Sequence, residues 1–209
     1  MSSEDRSLVI ASGNAGKVAE FRQLLRGYPF EVQAQGDFNV SRAPEPAMTF
    51  VENALHKARH CARHTGLPSL ADDSGLVVEF LGGAPGVHSA HYAGKDIGAA
   101  ARNTHLLAAL EDAPAGRRQA YFHCVLVLLR GAGDPAPLLA QGSWHGRIAQ
   151  AARGTAGFGY DPIFIPDGHE VTVAELGPVW KNRMSHRFRA WNALAGELDA
   201  GREQPWPCH

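Results

Sequence analysis

Three short stretches of this 209-residue chain combine residue types that could do chemistry. Ser12-Gly13-Asn14-Ala15-Gly16-Lys17 follows the apolar run Leu8 to Ala11 and leads into an amphipathic segment. At a strand-to-helix turn, glycines let the backbone approach an anion, the helix N-terminus offers N–H groups and partial positive charge, and a lysine adds a full charge. A P-loop is excluded, because that motif needs glycine five positions before Gly16 and Ser or Thr after Lys17, where this chain has Ala11 and Val18. The second stretch, Asp72-Asp73-Ser74-Gly75, stands between Leu70-Ala71 and Leu76-Val77-Val78. Adjacent carboxylates in an apolar setting are costly to bury without a cation or donors. The pair therefore reads either as a solvated turn or, downstream of a phosphate loop, as a Mg²⁺ ligand or general base. Side chains alternate along a strand, so one of the two faces the site, and spacing leaves open which.

The third stretch, Gly157-Phe158-Gly159-Tyr160-Asp161-Pro162, is a turn with core aromatics or a stacking platform for a nucleobase. Lys181 and the pair His186-Arg187, at and just before the start of the last helix, read by themselves as surface charges. His56, His60 and His64 recur every four residues, as zinc ligands on a helix could. With no HExxH and no third-ligand pattern, and with Phe50, Ala54, Leu55, Ala58 and Ala62 forming the apolar side, the stripe reads as a solvated face. No GxSxG elbow surrounds Ser12, Ser74 or Ser89, and nothing marks a serine or cysteine nucleophile.

The elements that must position these residues follow from periodicity. Val18, Phe21, Leu24 and Leu25 fall at helical spacing, closed by Gly27 and Pro29, and Phe30 to Gln35 reads as a strand, giving a β-α-β opening. Gly36 to Ala47 reads as a loop, and Thr49 with Glu52 forms a capping-box pattern ahead of a helix reaching about His64. Ser69 to Phe80 is expected as strand interrupted by its polar cluster, and Leu81 to Gly94 as an ordered loop. A helix is expected from Gly98 to Glu111, a central strand from Gln119 to Arg130 and its antiparallel partner from Leu138 to Gly146. Gly154 to Pro166 mixes turn and strand, and Ser185 to Leu198 is a final helix with Phe188, Trp191, Leu194 and Leu198 on one face. The expected class is α/β, a long mixed β-sheet flanked by helices.

Length favours one domain over 1–209, with 201–209 a dispensable tail. Twenty Lys and Arg against 21 Asp and Glu leave a net charge of -1, so no overall field recruits a nucleic acid polymer or an anionic membrane. Cys61, Cys124 and Cys208 are odd in number and show no CxxC spacing, which fits a reducing cytoplasm. MSSEDRS carries no signal-like apolar region, and no apolar run approaches a membrane span.

Together the motifs closely resemble the RdgB/HAM1 family of inosine triphosphate pyrophosphatases. They are Ser12, Asn14, Lys17 and Glu20; Phe50 to Ala58; LADDSGL; LGGAPGVHSAHYAG; FHCVL; GFGYDPIF; and the closing SHR. The resemblance, from Val9 to about Leu194, implies two α/β lobes with a substrate cleft between them, a homodimer, Mg²⁺ dependence, and hydrolysis of ITP, dITP and XTP to monophosphate and pyrophosphate. It implies that Ser12 to Lys17 and Lys57 contact the phosphates, that Asp73 is the catalytic carboxylate and Ser74 a substrate contact, and that Glu45 joins Asp73 at the metal. Phe158, Gly159, Tyr160, Asp161, Lys181, His186 and Arg187 would form the nucleobase end. His88 and His91 depart from the aromatic and arginine expected there, and Ser12 replaces a threonine while keeping its hydroxyl. A nucleotide-binding module without catalysis would lack the reason for Asp73, Lys17 and Lys57, and a septum-inhibitor-type pyrophosphatase would lack GFGYDP and SHR.

Overall fold

The computed structural model describes residues 7–94 and 97–200; the tail 201–209, with Cys208, lies outside the described residues. Its strands, among the described residues, form a six-stranded sheet in the order β2-β1-β3-β4-β5-β6. The chain opens with β1 (Ser7–Ile10), α1 (Ala15–Leu24) and β2 (Glu31–Ala34), and β2 lies parallel to β1 with Ser7 opposite Glu31. Next come α2 (Phe50–Thr65) and β3 (Ser69–Val78), and β3 also runs parallel to β1, Val9 opposite Ser69. Parallel neighbours need long crossovers, which is why a helix stands between each successive pair of these strands. The later elements are α3 (Ala99–Ala109), β4 (Gln119–Leu129), β5 (Leu138–Ile148), β6 (Phe164–Pro166), α4 (Val173–Leu176), α5 (Pro178–Met184) and α6 (His186–Ala200). β6 is antiparallel to β5, with Gly146 opposite Pro166, so the sheet is mixed as expected.

The chain divides into two compact units. The first holds residues up to Asp73, Val125–Gly142 and the chain from Ala190 on; the second holds Ser74–Cys124 and Ser143–Arg189. In the first, Val9, Ala11, Ala71, Val125, Val127 and Leu129 pack with Ala54, Ala58 and Cys61 of α2. The α2 contacts are small, so this helix seats close against its core. In the second, Leu76, Val78, Leu106, Leu110, Phe122, Trp144, Ile163 and Phe164 form a core rich in large side chains. Phe122, Trp144 and Phe164 contact one another there as aromatic pairs.

β3 differs from expectation. It runs unbroken through Asp72-Asp73-Ser74-Gly75, with both carboxylates buried at 2% and 4% exposure. The solvated-turn reading is therefore wrong: the strand continues through the polar residues, and each carboxylate has a lysine at short range. Two short helices, α4 and α5, occupy the stretch between the expected Gly154 to Pro166 segment and the last helix. Thr172 and Glu175 cap α4 reciprocally, Gly177 ends it, and Pro178 starts α5 at the one helical turn where a missing N–H costs nothing. Thr49 likewise caps α2 through Glu52, and Gly66, in a left-handed conformation, ends it. A 3₁₀ turn, Gln35–Phe38, occupies the start of the expected 36–47 loop. No helix among the described residues is long and apolar enough to cross a membrane.

Candidate active site

In the first unit the 12–17 loop leaves β1 at Ala11 and is shaped by its own side chains. Ser12 Oγ accepts the Asn14 N–H at 3.2 Å, and Asn14 Oδ1 caps α1 by accepting from Gly16 N at 2.9 Å and Lys17 N at 3.3 Å. Three of the N–H groups that the sequence offers to an anion are thus already satisfied within the loop. This corrects the picture of an open N-terminal cradle: Asn14 serves first as helix cap. Lys17 Nζ lies 2.8 Å from Asp72 Oδ2, whose side chain is fully buried.

The alternation of β3 sends Asp73 to the other face, where α2 supplies the cation. Lys57 Nζ donates to Asp73 Oδ1 at 2.6 Å and lies 3.4 Å from Glu45 Oε2. Lys57 shares its flank of α2 with Ala54, Ala58 and Cys61, each fully buried, so the close seating of the helix brings this ammonium to the strand. Asn53, one turn earlier and 1% exposed, accepts Ala47 N at 3.0 Å and donates to Ala47 O at 3.2 Å, anchoring the loop that carries Glu45. Burial raises Asp73 to about 6, with Glu45 adding to the rise, although Lys57 and Lys17 oppose it. Burial by itself would lower Lys57, but Asp73, Asp72 and Glu45 outweigh it and hold the ammonium above its ordinary value. Asp73 Oδ2 is buried without a hydrogen-bond partner among the described residues. A carboxylate so placed has one oxygen fixed and one ready to take a proton or a cation.

The second unit gathers another set. Gly157 has φ +82°, and a Cβ there would stand on the Asp161 carboxylate, so the turn depends on glycine at this position. Asp161, 1% exposed, accepts Phe158 N at 2.9 Å and Lys181 Nζ at 2.7 Å. The same ammonium lies 3.8 Å from the Phe158 ring centroid, a cation–π contact, while Phe158 is 42% exposed. A cavity of about 390 Å³ lies beside this turn, lined by Asn103, Leu107, Phe158 and Pro162. Asn103 Nδ2 donates to Gly159 O at 3.1 Å. Tyr160 is not a surface platform: it is buried in the core, donates its hydroxyl to Ser89 O at 2.9 Å, and burial raises its pKa. Of the two aromatics, only Phe158 presents a face.

Lys181, His186 and Arg187 are not surface charges, being 4%, 5% and 2% exposed. Lys181 stands in α5 rather than at the last helix. His186 stacks on Phe122 with centroids 4.8 Å apart and planes 12° apart, and Arg187 Nη2 donates to Ser74 Oγ at 3.1 Å. Ser89, in the 81–94 loop, accepts Leu76 N at 2.8 Å and donates to Gly86 O, while His88 and His91 are exposed. His60 Nε2 lies 3.0 Å from Ser41 O, and His64 Nδ1 lies 2.8 Å from His60 O. Sequence reasoning did not identify Asp72 as the partner of Lys17, nor Asn53 as the anchor of the Glu45 loop. A buried carboxylate beside a catalytic candidate was the available signal for the first; nothing in the spacing signals the second.

Comparison with known proteins finds relatives along almost the whole chain. The profile of the Ham1 family matches residues 8–197. A dITP/XTP pyrophosphatase of Xanthomonas campestris pv. campestris (strain 8004) is 53% identical over 195 residues, covering 93% of this chain and 98% of its own. One of Vibrio parahaemolyticus serotype O3:K6 is 50% identical over 199 residues, covering 95% of this chain and all of its own. The solved HAM1 protein of Coxiella burnetii superposes with a TM-score of 0.87 at 48% identity, covering 93% of this chain and 98% of that one.

Proposed function

The chain belongs to the Ham1 family, and from that membership and the site we propose that it hydrolyses non-canonical purine nucleoside triphosphates. It is an enzyme, a nucleoside triphosphate pyrophosphatase, taking ITP, dITP and XTP to the monophosphate and pyrophosphate and so removing deaminated purines from the nucleotide pool. Relatives bearing the name dITP/XTP pyrophosphatase support the substrate class. The observation that carries the chemistry is Asp73: buried, ion-paired through one oxygen to Lys57, and raised to about 6. A carboxylate with that value is ionised at neutral pH yet basic enough to accept a proton in a transition state.

In this reading Asp73 accepts a proton from the water that attacks the α-phosphorus. The new bond is oxygen to α-phosphorus, the broken one joins that phosphorus to the bridging oxygen, and pyrophosphate departs with the electron pair. Lys57, kept charged by its carboxylates, and Lys17, at the mouth of the phosphate loop, offset phosphate charge and hold the chain in line. Ser12 to Gly16 provide the backbone along which the phosphates lie. The donor set fits a hard divalent cation: Asp73 Oδ2 has no hydrogen-bond partner, and Glu45 reaches the same lysine. Mg²⁺, held by Asp73 and Glu45 with substrate oxygens, would add Lewis-acid charge at the phosphates.

For the nucleobase the resemblance implies the 158–161 turn with Lys181, His186 and Arg187. Phe158 offers a ring face for stacking, with Gly159 and Tyr160 shaping its turn, and Asp161 and Lys181 hold that turn in place. His186, Arg187 and nearby backbone would donate to the 6-oxygen of hypoxanthine or xanthine, and Ser74 would contact the substrate. Adenine presents an amine at that position, leaving those donors unpaired. The family profile across 8–197 supports treating the chain as one ITPase-like domain. A homodimer, by the family resemblance, and a cytoplasmic location, in keeping with three cysteines that show no CxxC spacing, complete the proposal.

The test is incubation with Mg²⁺ and ITP, dITP, XTP, GTP or ATP, separating products by chromatography. Inosine and xanthosine monophosphates with pyrophosphate are expected; a diphosphate with orthophosphate overturns attack at the α-phosphorus.

A further inference from the structure

The phosphate loop meets a third cation that the motifs do not contain. Arg42 stands on the same exposed segment as Glu45 and reaches back to Gly13, Nη2 lying 3.4 Å from the Gly13 carbonyl oxygen. A Cβ built on Gly13 would come within 2.7 Å of Arg42 Nε and 3.5 Å of Cζ, so the guanidinium rests on loop backbone left open by the missing side chain. Lys17 is committed to Asp72 at 2.8 Å, and Lys57 to Asp73 at 2.6 Å with Glu45 at 3.4 Å. Among the described residues no carboxylate lies within ion-pairing distance of Arg42.

We propose that Arg42 is a polyphosphate-binding residue, the cation of this site that engages the substrate's phosphates without first giving up a carboxylate. The inference rests on the reading of the site as a triphosphate pocket. Charge balance supports it. Lys17, Lys57 and Arg42 set three positive charges against those of Asp72, Asp73 and Glu45. Without Arg42 the cluster would carry a net negative charge and repel a polyphosphate. Its planar fork of donors matches paired phosphate oxygens, and its hydrogen bond to Gly13 is long and exposed, so turning toward a phosphate costs little. Gly13 then has two tasks: to free the backbone, and to leave room for this side chain.

Arg42→Gln and Arg42→Lys test this by ITP kinetics and by calorimetric binding of inorganic tripolyphosphate with Mg²⁺. Arg42→Gln should raise both KM and the tripolyphosphate Kd about tenfold, with kcat within about twofold. The ionic-strength dependence of kcat/KM should flatten, and Arg42→Lys should fall between, restoring charge without the fork. Unchanged KM and Kd in Arg42→Gln, or loss of kcat at constant KM, would overturn the proposal, as would failure of the wild type to bind tripolyphosphate. Tripolyphosphate needs no hydrolysis, so the role of Arg42 is decided even if the wild type leaves ITP intact, an outcome that would count against the proposed function alone.

Discussion

Two ion-paired carboxylates of the first unit, Asp134 and Asp73, are held in opposite ways. Asp134 follows β4 in the turn toward β5 and accepts from Arg130 N, Nε and Nη2 and from Ala136 N, all at 3.0 Å or less. Those donors, the Arg130 side chain foremost, hold its carboxyl well below the ordinary range. Asp73 lies deeper in the protein and also has a cation at short range, yet it is raised to about 6, because one lysine does not repay its burial and Glu45 adds like charge. The lesson is that an ion pair does not by itself reveal a role; the balance of donors against depth of burial does. A carboxylate whose lone pairs are saturated fastens a turn, whereas one left in deficit is available for chemistry.

The largest effect expected from this contrast is on rate. Asp73→Asn should cut ITP turnover about a thousandfold by removing the proton acceptor, with little loss of melting temperature. A variant within tenfold of wild type would remove Asp73 from its role. Asp134→Asn should do the reverse, costing about 2 kcal/mol in urea denaturation through weakened charge-assisted bonds, with ITP turnover within about twofold. If stability is unchanged, the turn does not depend on its donor count.

The smallest effect is one of pH, and the two carboxylates oppose each other. Asp134 is depressed, so its stabilisation is complete above the ordinary value of 3.8 and is lost as pH falls below it. Asp73 is raised, so between 3.8 and about 6 the folded chain keeps a proton that the unfolded chain has released, and stability falls as pH rises through that window. In metal-free buffer the wild type should lose on the order of 1 kcal/mol relative to Asp73→Asn between pH 4.5 and 6.5. Parallel pH profiles for the two proteins would count against the raised value.

Much of the fold was legible in the sequence because its signals are local. The β-α-β opening, the Thr49 cap and the alternation of β3 follow from spacing and turn chemistry. The burial of Lys181, His186 and Arg187 was not legible, since it arises from Asp161, Phe122 and Ser74, all distant in the chain. Tyr160 and Phe158 look equivalent in sequence, yet a hydrogen bond to Ser89 draws one inward and leaves the other presenting its face. Asn14 is expected as an anion contact, and the geometry adds a second task that the spacing did not announce, capping α1.

The doublet on β3 has a consequence for how this protein can change over time. Neighbouring aspartates occupy opposite faces, each answering a lysine from a different helix. Substitution tests one side chain at a time, but inserting or deleting a residue in this strand would exchange the two faces at once. Asp72 would then be presented to the α2 side, and every apolar neighbour would trade core for core. Lineages descending from this chain are therefore free to lengthen its loops but are held to the length of β3, where a gap in an alignment would be a sign of lost chemistry.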